Sequence, residues 1–148
     1  MIDELYSARI LALAANMPHA GRLAQPDASS EKTSRLCGSR IVADVVMDGD
    51  RITDFAQDVR ACALGQAAAA ILGESVVGAS VQEVETARDA LRAMLKTGGS
   101  APEGRFAGLE MLAQVKDYPA RHASTMLAFE ACAEAARAAV GRSRETAA

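Results

Sequence analysis

Tryptophan is absent from this chain, and aromatic residues make up only 3% of it. A core must therefore be filled by Ala, Leu, Val, Ile and Met, which favours closely approaching helices over a sandwich of sheets. Long apolar runs are also lacking. The most apolar stretch, residues 61–73, is alanine-rich and too short to span a bilayer, so no membrane partner is expected. Clustered positive charge is missing as well: 16 Lys and Arg against 19 Asp and Glu leave a formal net charge of −3. Scattered cations do not neutralise a run of phosphates, which excludes DNA and RNA as expected partners. Asp3 and Glu4 stand where a secretory leader would need positive charge, so the expected location is the cytoplasm. In such a reducing compartment the three cysteines are expected to be free or metal-bound rather than disulfide-linked.

What is present fits one domain. The chain has 148 residues, half of them hydrophobic, enough for one core and too few for two. Residues 1–141 read as that domain and 142–148 as a disordered tail. Ile2, Tyr6, Ile10, Leu13 and Met17 recur at helical spacing, a first helix ended by Pro18. Residues 18–34 carry Pro, Gly, Asp and Ser without periodicity and read as an irregular loop without a core role. Arg40–Met47 and Arg51–Val59 flank Asp48-Gly49-Asp50 and read as an antiparallel hairpin, with Asp44 and Asp54 on its solvated face. A hairpin is marginal alone, so a third short strand before Cys37, or helices packed across one face, is expected.

Ala61–Leu72 is helix-forming, with Gly73 as its stop and Cys62 in its first turn. Ser80-Val81-Gln82-Glu83 has the spacing of a capping box and opens a helix ended by Gly98-Gly99. Its charged residues Glu83, Glu85, Arg88, Asp89 and Arg92 read as a solvated face, with like-charge neighbours at Glu85/Asp89 and Arg88/Arg92. Phe106, Leu109, Leu112 and Ala113 suggest another short helix, and residues 122–140 a last, alanine-rich one. The fold class is α+β: a small antiparallel sheet packed against about five helices.

The chemistry concentrates in the thiols. Cys37 precedes Gly38, and Cys62 opens a helix, where unpaired N–H groups favour a thiolate. Cys62 is thus the better nucleophile for accepting sulfur. From spacing alone, two unrelated packing thiols are the better account of Cys37 and Cys62. Cys132 lies eight residues beyond Ser124 on the last helix, a rise of about 12 Å, and reads as core. His122 reads either as a metal ligand or as a capping or surface residue at a helix start. With no Gly-x-Ser-x-Gly elbow and no acid placed behind His122, catalytic serine chemistry is not the expected reading. The six methionines fall mainly at apolar positions and are core fillers rather than a copper box.

The order helix, loop, Cys37-Gly38-Ser39, hairpin, Ala61-Cys62, long helices and then Pro119-Ala120-Arg121-His122-Ala123-Ser124-Thr125-Met126-Leu127-Ala128 resembles the IscU/NifU-like family of iron–sulfur cluster assembly scaffolds over roughly residues 1–140. Asn16-Met17-Pro18-His19 echoes the family's N-terminal Asn-Pro-Arg-Asn stretch. The resemblance implies a non-enzymatic scaffold that holds a transient [2Fe–2S] cluster on Cys37 and Cys62. It also implies a cysteine desulfurase as sulfur donor and apo iron–sulfur proteins as recipients. Two positions depart from the family pattern: Ser39 replaces its aspartate, and Ser124 stands at its third cysteine, with His122 two residues earlier. A serine hydroxyl stays protonated near neutral pH and ligates poorly, whereas clusters are normally held by four thiolates with His an occasional substitute. The chaperone-recruiting motif of the bacterial scaffold is replaced by Asp117-Tyr118-Pro119-Ala120-Arg121. The alternative is a degenerate relative that acts as a binding module, either metal-free or holding zinc on Cys37, Cys62, His122 and a water. Either reading leaves room for a homo-oligomer.

Overall fold

The computed structural model describes residues 7–35 and 38–147. Its first element is helix α1, Ala8–Ala15, capped by the Ser7 hydroxyl and buried through Ile10. Three strands follow, β1 (Ala28–Ser34), β2 (Ser39–Asp48) and β3 (Arg51–Arg60), antiparallel in the order β1-β2-β3. The hairpin turns at Gly49-Asp50, with Asp48 opposite Arg51, and a bulge between Val46 and Met47 shifts its register. The expected third strand is thus β1, which lies within the stretch read as irregular loop. Its Ser, Glu, Lys and Thr residues carry no apolar alternation, because its inward side meets polar groups: Ser30 and Lys32 both bind Glu134.

Helix α2 (Ala63–Ser75) enters from β3 and is buried along most of its length, from Leu64 and Gly65 through Ala67–Gly73. Gly73 does not stop it. A Cβ there would sit 2.9 Å from Gln57 Nε2 and 3.1 Å from Pro18 Cβ, so this glycine lets α2 press against β3 and the segment after α1. Gln57 secures that segment, since its side-chain amide donates to Ala69 O and Pro18 O while its backbone N–H donates to His19 O. Helix α3 (Val81–Thr97) opens on the expected capping box of Ser80 and Glu83 and ends at Gly98 in the left-handed conformation. After it, Gly104–Asp117 and Pro119–Arg121 form 3-10 turns. The buried residues Phe106, Leu109, Leu112 and Val115 recur every third position, the period of a 3-10 helix, whereas Ala113 is exposed. Helix α4 (His122–Ala147) closes the fold, packing on the sheet and on α2 and α3. No described helix is long and apolar enough to cross a membrane.

Two charge assignments differ from expectation. The charged side of α3 is tied to α4, with Glu85 accepting from Arg137 at 2.5 Å and Arg92 paired to Glu130 at 3.4 Å. Asp54 is exposed as expected, but Asp44 is fully buried. Its carboxylate accepts from Arg22 Nε (2.7 Å) and Nη2 (3.1 Å), Leu23 N (3.0 Å) and Ser29 Oγ (2.5 Å). Residues 22 and 23 are thereby stapled across the sheet face, and the loop does have a core role. Burial alone would raise the Asp44 pKa, but the hydrogen bonds from Arg22, Ser29 and Leu23 outweigh it and hold the carboxyl below its ordinary value.

A carboxylate depressed on folding contributes stability above its unfolded pKa and loses it as pH falls through the lower folded value. Urea unfolding of the protein is therefore expected to show stability falling as acid is added below the ordinary Asp value of 3.8. Asp44→Ala should cost about 2–3 kcal/mol at neutral pH by the loss of charge-assisted hydrogen bonds, and that difference should shrink in acid.

Candidate functional site

Cys62 sits between strand and helix, at the N-cap of α2, with an extended backbone (φ −67, ψ 171). It stands one position before the first turn rather than inside it. The α2 entry is closed instead by Gln66, whose backbone N donates to Cys62 O (2.9 Å) and whose side chain donates to Ala61 O (2.8 Å). The thiol does not cap the helix. It is half-buried and free, with Sγ 3.3 Å from Ser124 Oγ.

Ser124 reaches that position from the first turn of α4. Its side chain is fully buried, and its hydroxyl also lies 3.3 Å from Arg121 O. Thr125 Oγ1 donates to the same carbonyl at 2.7 Å, which ties down the start of the helix. With the Ser124 hydroxyl donating to Arg121 O, Cys62 donates its S–H to Ser124; once the sulfur is a thiolate, the hydroxyl can turn and donate to it. The contact depends on Gly65. A Cβ at that position would stand 3.0 Å from Ser124 O and 2.8 Å from Ala61 Cβ, closer than packed carbons allow. Sequence reasoning missed this residue, although a glycine inside an otherwise helix-forming run is a recognisable sign of close approach.

The structure gives His122 different neighbours. It precedes Ser124 by two residues, about 200° around a helix. Its Nε2 lies 2.9 Å from Val115 O and 3.2 Å from Lys116 O, so this nitrogen carries the proton and is engaged by the preceding 3-10 turns. Its ring lines a cavity of about 320 Å³ with Leu95, Pro119 and Met126. Cys132 is core, as expected: it is fully buried, and burial pushes its thiol up to about 12.

Cys37 lies outside the described residues, as does Leu36. On either side of them the β1–β2 connection closes with Ser34 opposite Ser39, and Gly38 N donates to Ser34 O at 2.9 Å. Ser39 is buried. Arg40 pairs with Arg60, two residues before Cys62, so this connection and the α2 entry share one end of the sheet. Among the described residues, no group of three or more His, Cys, Asp and Glu gathers in metal-binding geometry.

Residues 5–125 match the family model of the NifU-like N terminal domain. The iron-sulfur cluster assembly scaffold protein IscU of Thermotoga maritima is 25% identical over 131 residues, covering 88% of this chain and 92% of the relative. The protein of the same name from Streptococcus pyogenes serotype M1 is 26% identical over 134 residues, covering 90% and 84%. Among solved structures, the N-terminal part of a nitrogen-fixing NifU-like protein from Brucella abortus matches with a TM-score of 0.91 and 47% identity, over 95% of this chain and 97% of that one. The SUF-system scaffold of Fervidobacterium islandicum shares the fold at a TM-score of 0.82 and 23% identity, over 89% and 96% of the two chains.

The Gly65 contact makes a measurable claim. Gly65→Ala should destabilise the protein by about 1–3 kcal/mol through overpacking and loosen the α4 start from Cys62. In a Cys37→Ala background, a thiol reagent should then modify Cys62 faster than in the Gly65 parent, while Cys132 reacts only after denaturation. Equal Cys62 reactivity with and without Gly65 would show that the contact does not control the site.

Proposed function

This chain belongs to the NifU-like N-terminal domain family, and on that premise we propose that it is a non-enzymatic scaffold on which iron and sulfide are assembled through Cys37 and Cys62. The observation that carries the proposal is the Cys62 thiol: a free sulfur at a helix entry, 3.3 Å from a buried hydroxyl, where the other described cysteine, Cys132, is hidden in the core. Iron and sulfide are cargo here. A cysteine desulfurase would present the sulfur as a persulfide, and the Cys62 thiolate would attack its terminal sulfur. The new bond would be Cys62 Sγ–S; the donor's S–S bond would break, and the donor would leave as its thiolate. Two electrons from an external reductant are then needed to release the transferred sulfur as sulfide.

Cys62 and Cys37 would hold ferrous iron as thiolates, and Ser124 would steady the Cys62 sulfur by hydrogen bonding rather than by ligation. In this proposal His122 anchors the entry to α4 through the Val115 and Lys116 carbonyls. With two thiolates from the chain instead of four, the remaining coordination of a [2Fe–2S] unit would be exogenous. That arrangement favours transfer to an apo-protein over permanent retention.

Anaerobic reconstitution with ferrous iron, a cysteine desulfurase and cysteine should load iron and acid-labile sulfide in equal amounts. Cys62→Ser and Cys37→Ser should each abolish loading, and Cys132→Ser should retain it. A Cys62→Ser variant that loads as the parent does, or a parent that takes up no sulfide, would refute the scaffold reading.

A further inference from the structure

An N-cap residue ordinarily spends its side chain on the helix it opens, accepting an N–H of the first turn. Helices α1 and α3 follow that rule: Ser7 Oγ accepts from Ile10 N at 3.3 Å, and Ser80 Oγ accepts from Glu83 N at 3.0 Å. Helix α2 departs from it. Its N-cap is Cys62, and the thiol makes no cap hydrogen bond. Sulfur is a weak acceptor, so a cysteine at this position keeps its side chain for chemistry and leaves the entry to be fixed by another residue.

Gln66 fixes it. Its Nε2 donates to Ala61 O at 2.8 Å, and its backbone N donates to Cys62 O at 2.9 Å. Those two carbonyls belong to the peptide units on either side of the Cys62 Cα. A peptide unit is planar and each residue has two soft backbone dihedrals, so anchoring both units holds Cys62 at φ −67, ψ 171. One torsion remains, the staggered χ1 that aims the sulfur. Ala61 is held a second way, because its Cβ lies 2.8 Å from where a Gly65 Cβ would stand. The sequence also sets Gln66 apart: from residue 61 to residue 73 it is the one amide, hydroxyl or charged side chain. Residues 64–73 are otherwise buried, and Gln66 is half-buried. Filling a core does not call for an amide at that position; gripping a carbonyl at the mouth of the helix does.

We infer that Gln66 is a positioning residue for sulfur transfer to Cys62: by holding both peptide units around that residue, it aims the sulfur along one line of approach. The inference rests on the scaffold reading for the reaction, and on the Gln66 contacts for the residue that directs it. In that step the Cys62 thiolate attacks the terminal sulfur of the donor persulfide, the donor leaves as its thiolate, and Gln66 touches none of the atoms that exchange bonds. A protein donor presents its sulfur in one orientation and cannot turn to find a displaced thiolate, whereas a small disulfide tumbling in solution can.

That difference supplies the test. The full chain carrying Cys37→Ala leaves Cys62 as the reactive thiol, with Cys132 buried. Two rates are measured on it: Cys62 persulfide formation at saturating cysteine desulfurase supplied with cysteine, and mixed-disulfide formation with dithiodipyridine. Gln66→Met keeps the length and helix propensity of glutamine without a donor. It should lower the saturated transfer rate about tenfold, well inside what a misplaced reacting group costs. The half-saturating desulfurase concentration should stay unchanged, and dithiodipyridine should react at least as fast as in the Gln66 parent. In Gln66→Glu the carboxylate also cannot donate, yet it suits a helix N-terminus. It should lower the ratio of transfer to dithiodipyridine rates in the same direction, a ratio that cancels the effect of its charge on ionisation of the thiol. A ratio unchanged in both variants, or two rates that fall together, would overturn the positioning role and leave the scaffold reading in place. A Gln66 parent that accepts no sulfur from the desulfurase would overturn both.

Discussion

The close approach of α2 and α4 at Gly65 is the constraint on which the site depends. A core that lacks tryptophan and has few other aromatics fills its volume by bringing backbones together, and α2 shows this along its length, with Ala67, Ala68, Ala69 and Ala70 all fully buried. A helix buried on every side cannot shift to accommodate an added methyl group. At Gly65 the packing reaches its limit, with the Ser124 carbonyl where a side chain would begin. The same contact holds the Ser124 hydroxyl against the Cys62 sulfur. Packing and chemistry are therefore one feature of the sequence.

The two described cysteines show how position decides what a thiol can do. Cys132 lies inside α4, surrounded by core, and burial denies it the ionised form that metal binding and nucleophilic attack require. Cys62 stands where a strand hands over to a helix, with its sulfur between solvent and a hydroxyl.

Local signals in the sequence carried much of the fold. The hairpin turn, the Ser80–Glu83 capping box and the glycine end of α3 each depend on residues within a few positions of one another, and each formed where its pattern stands. The features that escaped depend on distant partners. Asp44 looked solvent-facing as a carboxylate in a hairpin strand, but Arg22, 22 residues earlier, folds across that face and buries it. Gly73 looked like a stop because the residues that crowd it, Gln57 and Pro18, lie far away in the chain. The three-residue spacing of Phe106, Leu109, Leu112 and Val115 was present in the sequence but was read with the period of an α-helix. For the site, the family resemblance singled out Cys62 and Ser124, and the structure supplied their distance, 62 residues apart in sequence and 3.3 Å apart in space.

The central claim, that cargo is held at the Cys62 end and not elsewhere, is tested most directly by NMR of protein labelled with 13C at cysteine Cβ, recorded before and after anaerobic loading with iron and sulfide. The account predicts that the Cys62 and Cys37 resonances shift or broaden beyond detection while that of Cys132 stays in place. A Cys62 resonance unchanged in a sample that demonstrably contains iron and sulfide would contradict it.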